Sequence, residues 1–177
     1  MKRSYRIVAV AACAVTTAMV SAQQNINIGG SIGLYMPSNA GVRAAIGNSA
    51  PRLGFGPVDT DQRQNGLRPS FGVINVSRNG NRLLAIPITY GYERKFGSGA
   101  VSPYGRVFGG LSYLDYRMNI NGANFAGRKF VPVFGGEVGV SLSSYARVYA
   151  RYTVMSSSGG VNFSGLELVA SFSLFKL

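Results

Sequence analysis

The chain has 177 residues, with 18 lysines and arginines against 6 acidic residues, no histidine, no tryptophan and one cysteine. Only 14% of it is charged although 46% is hydrophobic; an ordinary soluble domain carries about 25% charged residues, and disorder needs low hydrophobicity with high net charge. The missing imidazole excludes Ser-His hydrolysis, histidine-ligated metals and a histidine proton switch.

The first 22 residues read as an export signal. Lys2, Arg3 and Arg6 form a basic start, Ile7 to Val20 is a short apolar segment, and Val20-Ser21-Ala22 places small residues before Gln23. Val10-Ala11-Ala12 before Cys13 offers a rival lipoprotein reading, but the apolar stretch before Cys13 is very short and continues past it. Cleavage after Ala22 leaves 23–177 as a single domain with no cysteine, hence no disulfide. No later stretch reaches the ~18 to 20 apolar residues of a spanning helix. The basic surplus can serve nucleic acid, anionic lipid or an anionic ligand. No basic run forms a stripe and the aromatics sit among glycines in alternating patterns, so nucleic acid is not the expected partner.

The periodicity of the body is two, the period of a strand. From Asn25 the even positions are Ile26, Ile28, Gly30, Ile32, Leu34 and Met36, and the odd ones are polar or small. Ser38 or Asn39 then caps a brief helix ending at Gly47, with Val42, Ala45 and Ile46 on one face. Strands are expected near 25–36, 51–58, 68–78, 82–96, 102–117, 129–142, 145–156 and 163–176. Pro51, Pro57 and Pro69 make the second and third the least regular. Asn79-Gly80-Asn81 is a hairpin signal. Short turns fall at Phe96 to Val101 and Leu142 to Tyr145, and longer loops at Met118 to Arg128 and Met155 to Asn162, where Ser156 to Gly160 reads as mobile. This matches the short periplasmic turns and longer external loops of a spanning barrel.

The apolar faces are continuous, whereas the opposite faces combine glycine, serine, tyrosine and matched charges. That is the inside-out pattern of an all-β, eight-stranded, antiparallel up-and-down transmembrane β-barrel. The inward phase carries Glu93 and Arg106 facing each other across one hairpin. It also places Arg151 between Glu137 and Glu167, with Arg147 nearby. A charge buried alone costs several kcal/mol, so these six residues are expected to form a lumen ion-pair network. Tyr35, Tyr90, Tyr92, Tyr113, Tyr116 and Tyr152 suit an interfacial girdle, and Tyr104 and Tyr149 suit the lumen. No catalytic residue, metal ligand or cofactor is implied.

Ile86-Pro-Ile-Thr-Tyr-Gly-Tyr-Glu-Arg-Lys-Phe96, Ser102-Pro-Tyr-Gly-Arg-Val-Phe-Gly-Gly-Leu-Ser-Tyr113, Phe134-Gly-Gly-Glu-Val-Gly-Val140, Ala150-Arg-Tyr152 and Phe163-Ser-Gly-Leu-Glu-Leu168 together resemble the small eight-stranded outer-membrane barrels, the group containing the outer-membrane protein A and W types. The resemblance implies an outer-membrane location, with lipid and the outer-membrane assembly machinery as partners and no identified surface partner. Such proteins commonly end on an aromatic residue, and this chain ends Phe175-Lys176-Leu177. Its expected function is a non-enzymatic barrel with a side-chain-filled polar lumen, serving envelope structure or surface-loop interactions. The alternatives are a narrow porin-like transporter for a small apolar or anionic solute, and a soluble exported binding barrel of lipocalin shape.

Overall fold

The computed structural model describes residues 27–57, 65–97, 99, 101–142 and 146–176. The segment expected to be an export signal lies outside them. Eight strands follow in order: β1 (Asn27–Pro37), β2 (Ala50–Pro57), β3 (Gly66–Arg78), β4 (Asn81–Lys95), β5 (Ser102–Ile120), β6 (Ala123–Ser141), β7 (Ala146–Met155) and β8 (Gly165–Lys176), with helix α1 (Ala40–Ile46) between the first two. Each strand pairs antiparallel with the next, and β1 pairs with β8 from Asn27↔Lys176 to Pro37↔Gly165, so the sheet closes into an up-and-down barrel. The proline-interrupted strands form the shortest seam, from Arg52↔Ile74 to Phe55↔Phe71.

One expected loop is absent. Instead of a long connection over 118–128, β5 and β6 run on to a two-residue turn, pairing as far as Ile120↔Ala123. Asn121 and Gly122 have φ of 53° and 83°, and Asn79 and Gly80 at the β3–β4 turn have 50° and 78°. Both positions of this hairpin turn need positive φ, which Asn-Gly supplies with little strain. The β5–β6 extension carries Asn119, Asn124 and Gly127, so it lacks the apolar alternation by which strands are read.

The expected alternation of faces is present. Val107, Leu111, Phe130, Phe134, Val138 and Phe172 lie exposed on the outer wall, Val138 at 66%. Arg52, Glu93, Glu137, Arg151 and Glu167 are buried inside, Glu93 and Glu167 completely. The interior is not uniformly polar, however. Towards the end that carries α1, Tyr35, Ile74, Leu83, Leu114, Tyr116, Met118, Val131, Val133 and Met155 form an apolar core. Among the described residues, the buried charges lie nearer the chain termini, with Glu167 and Arg52 bordering the apolar core.

Helix α1 closes the apolar half. Its seven residues are too few for a helix stable on its own, and packing holds it: Val42, Ala45 and Ile46 are buried in the core beneath it. The Asn39 side chain accepts from Val42 N at 3.1 Å. At the other end of α1, Asn81 Nδ2 donates to the Ala45 carbonyl at 3.0 Å while Asn81 Oδ1 accepts from Asn119 N at 2.7 Å, tying the helix to the rim.

The serine-rich segment before β8, expected to be mobile, is pinned instead. Ser158 and Val161 exchange backbone hydrogen bonds of 2.8 and 3.0 Å. The Tyr116 hydroxyl donates to the Ser158 carbonyl at 2.9 Å, and Val161 and Phe163 enter the core. Tyr35 donates to the Phe163 carbonyl at 2.5 Å. Tyr35 and Tyr116 therefore belong to the interior and not to an outer girdle, whereas Tyr90, Tyr92 and Tyr152 are exposed on the wall.

Leu111 faces outward midway along β5 between Ile88 and Pro132. Leu111→Arg is expected to lower unfolding stability in liposomes by about 2 to 4 kcal/mol, the cost of a cation on the lipid face near the bilayer midplane. An unchanged denaturant midpoint would contradict a lipid-facing wall.

Candidate functional site in the barrel lumen

The strand registers place a row of alternating charge across five adjacent strands. Glu93 on β4 is opposite Arg106 on β5, Arg106 opposite Glu137 on β6, Glu137 opposite Arg151 on β7, and Arg151 opposite Glu167 on β8. All five are buried. Sequence phase alone predicts the first hairpin and the last three residues; the Arg106↔Glu137 register joins them.

The contacts within this row are more selective than its register. Arg151 binds Glu137, with Nε and Nη2 donating to Oε2 at 2.8 and 2.5 Å, and Tyr104 donates to Oε1 at 2.9 Å. Glu167 does not take Arg151 as its ion-pair partner. It pairs with Arg52 from β2, and Thr153 donates to its Oε1 at 2.7 Å. Glu93 is met across the lumen by Arg147, whose Nη1 lies 3.0 Å from Oε2, and by Arg68 Nε at 3.7 Å. Arg106 instead donates to the Arg68 carbonyl at 2.7 Å.

Glycines decide these choices. A Cβ at Gly91 would stand 2.6 Å from Arg106 Nε, so the Arg106 side chain occupies the trough that Gly91 leaves on β4. Arg52 likewise lies over Gly54 and Gly72, where a Cβ would be 3.2 and 3.1 Å from its terminal nitrogens. Arg52 and Arg68 are lumen arginines that sequence reasoning misses. Their signal is inward parity, weakened by Pro51 and Pro69 beside them.

Aromatic rings take up the remaining faces of two guanidinium groups. Arg151 stands 4.7 Å from the Phe108 ring centre and 5.5 Å from that of Tyr149, and Arg147 stands 5.1 Å from that of Tyr104. Stacking of this kind offsets part of the loss of water. Both Glu137 oxygens are engaged by donors, so its hydrogen-bonding capacity is largely taken up within the lumen. Among the described residues, no group of three or more acidic, histidine or cysteine side chains is placed to hold a metal ion.

Arg151→Met leaves Glu137 buried with the Tyr104 hydroxyl as its remaining described donor. Loss of about 3 to 5 kcal/mol is expected, the usual effect of breaking a buried pair from one side. Arg151→Met with Glu137→Gln is expected to recover part of it. Chemical unfolding of the four proteins measures the coupling, and an unchanged midpoint in Arg151→Met would show that the pair does not contribute to stability.

No protein-family model matches the chain, and no curated protein matches it. Solved structures do. Neisserial surface protein A is similar at a TM-score of 0.54 with 15% identity, covering 85% of this chain and 98% of its own. The N-terminal β-barrel domain of OprF from Pseudomonas aeruginosa gives 0.59 with 10% identity, over 85% and 100%. Ail, the attachment invasion locus protein of Yersinia pestis, gives 0.52 with 15% identity, over 85% and 97%. At such identities the likeness is one of fold: this chain is a closed eight-stranded barrel of the kind built by small outer-membrane proteins.

Proposed function

We propose that the protein is a non-enzymatic outer-membrane barrel that serves envelope structure and presents its helix end to the cell exterior. The observation that carries this reading is the reversal of faces, apolar side chains over the outer wall and charges sealed within. An even number of strands returns both chain ends to one side. With export through residues 1–22 and insertion by the outer-membrane assembly machinery, that side is periplasmic. Outer-membrane lipid is then the main partner of the wall.

The transport alternative needs a path along the axis, and the packing in the helix half opposes one. Val42, Ile46, Val161 and Phe163 meet the core side chains Tyr35, Leu114 and Tyr116 there. An eight-stranded barrel is just wide enough for side chains to fill. The paired carboxylates support no acid/base role, since arginines hold each of them.

The purified barrel in planar lipid bilayers is expected to show no steady conductance, and Val42→Asp combined with Ile46→Asp to raise ion leakage by loosening α1. Steady conductance of the unaltered protein would favour the porin-like alternative.

A further inference from the structure

Five arginines turn into the described part of the lumen, Arg52, Arg68, Arg106, Arg147 and Arg151, against three glutamates. Each glutamate is already met by a guanidinium other than that of Arg106. Arg106 is only 8% exposed, its described side-chain hydrogen bond goes to a neutral carbonyl, and its Nε is buried with no hydrogen-bond partner. Glu137 and Glu93 act on it only from beyond ion-pair contact, and a guanidinium held away from water without a direct ion-pair partner is costly to fold around. It borders a cavity of about 60 Å³ near the chain termini, lined also by Arg52, Arg147, Arg151, Ser31 and Ser70. That volume is several times the room one water needs.

We propose that this cavity binds one tetrahedral oxyanion, inorganic phosphate or sulfate, with Arg106 as its principal partner. A planar guanidinium presents paired donors that match two oxygens of such an anion, a fit that a monatomic ion does not use. The two serines complete the donor set. Ser70 Oγ accepts from Arg151 at 3.3 Å and Ser31 Oγ accepts from Arg52 at 3.2 Å, so each hydroxyl keeps its own proton to donate into the cavity. Glu137 also lines the space, but Arg151 and Tyr104 occupy both its oxygens. The site sits in the half of the barrel away from α1, so it goes beyond the envelope role and stands whether or not the barrel conducts.

The test is thermal unfolding of the barrel in a phosphorus-free maltoside detergent, titrated with sodium phosphate or sodium sulfate while sodium chloride keeps ionic strength constant. The unfolding midpoint is expected to rise saturably, and the rise to vanish in Arg106→Gln. Arg106→Lys keeps the charge but loses the paired donors, and is expected to weaken binding about tenfold or more; it decides the matter if Arg106→Gln does not fold. No saturable rise, an equal rise in Arg106→Gln, or unchanged affinity in Arg106→Lys would overturn the proposal. So would a response to glycerol 3-phosphate without one to inorganic phosphate, which would assign the cavity to a lipid-type headgroup.

Discussion

Closure of the sheet is the constraint on which the other features depend. A strand edge in lipid leaves backbone donors and acceptors unpaired at several kcal/mol each, and pairing of β1 with β8 removes both edges. Closure with eight strands leaves an interior with room for side chains and little more. The lumen must therefore be filled by whatever the inward phase supplies. Glycine is what makes bulky residues fit there: a Cβ at Gly135 would be 2.7 Å from the Phe108 ring, and one at Gly165 would be 2.4 Å from the Tyr35 ring.

The interior is filled by two different chemistries stacked along the axis. Under α1 it resembles the core of a soluble protein, where apolar side chains gain from leaving water and a short helix gains stability from packing. Below it, water is replaced by carboxylate, guanidinium, hydroxyl and ring. Glu167 lies where the two meet, opposite Tyr35 in register and paired with Arg52. The charged layer can stay buried because each carboxylate has a guanidinium partner. The apolar layer closes the other end without any charge.

The wall was legible in the sequence because lipid imposes a strict period of two on it, and Ile32, Leu34, Phe134 and Val138 carry that period openly. The inward charges of Arg52 and Arg68, on the proline-interrupted strands, were not legible; those on β4 to β8 were, for the same reason as the wall. Their partners were not, because a long arginine reaches across the lumen as readily as along the sheet: Arg147 meets Glu93 from 54 residues away, and no periodicity encodes such a contact. Tyr35 shares the inward parity of Ser31 and Gly33, and its placement in a girdle follows proximity to the strand end instead. Asn39 marks the helix start by its capping side chain. The long β5–β6 hairpin is hidden because polar residues beyond the apolar belt show no alternation, although Asn121-Gly122 carries the same turn signal as Asn79-Gly80.

The central claim is that this chain is an inside-out barrel inserted in the outer membrane. Fractionation of producing cells, followed by a denaturing gel of the envelope protein with and without boiling, tests it most directly. The account predicts recovery in the outer-membrane fraction with migration that changes on heating, as a closed barrel resists detergent until boiled. Recovery as a soluble periplasmic protein that needs no detergent would contradict it, since the exposed apolar wall would then have no lipid to meet.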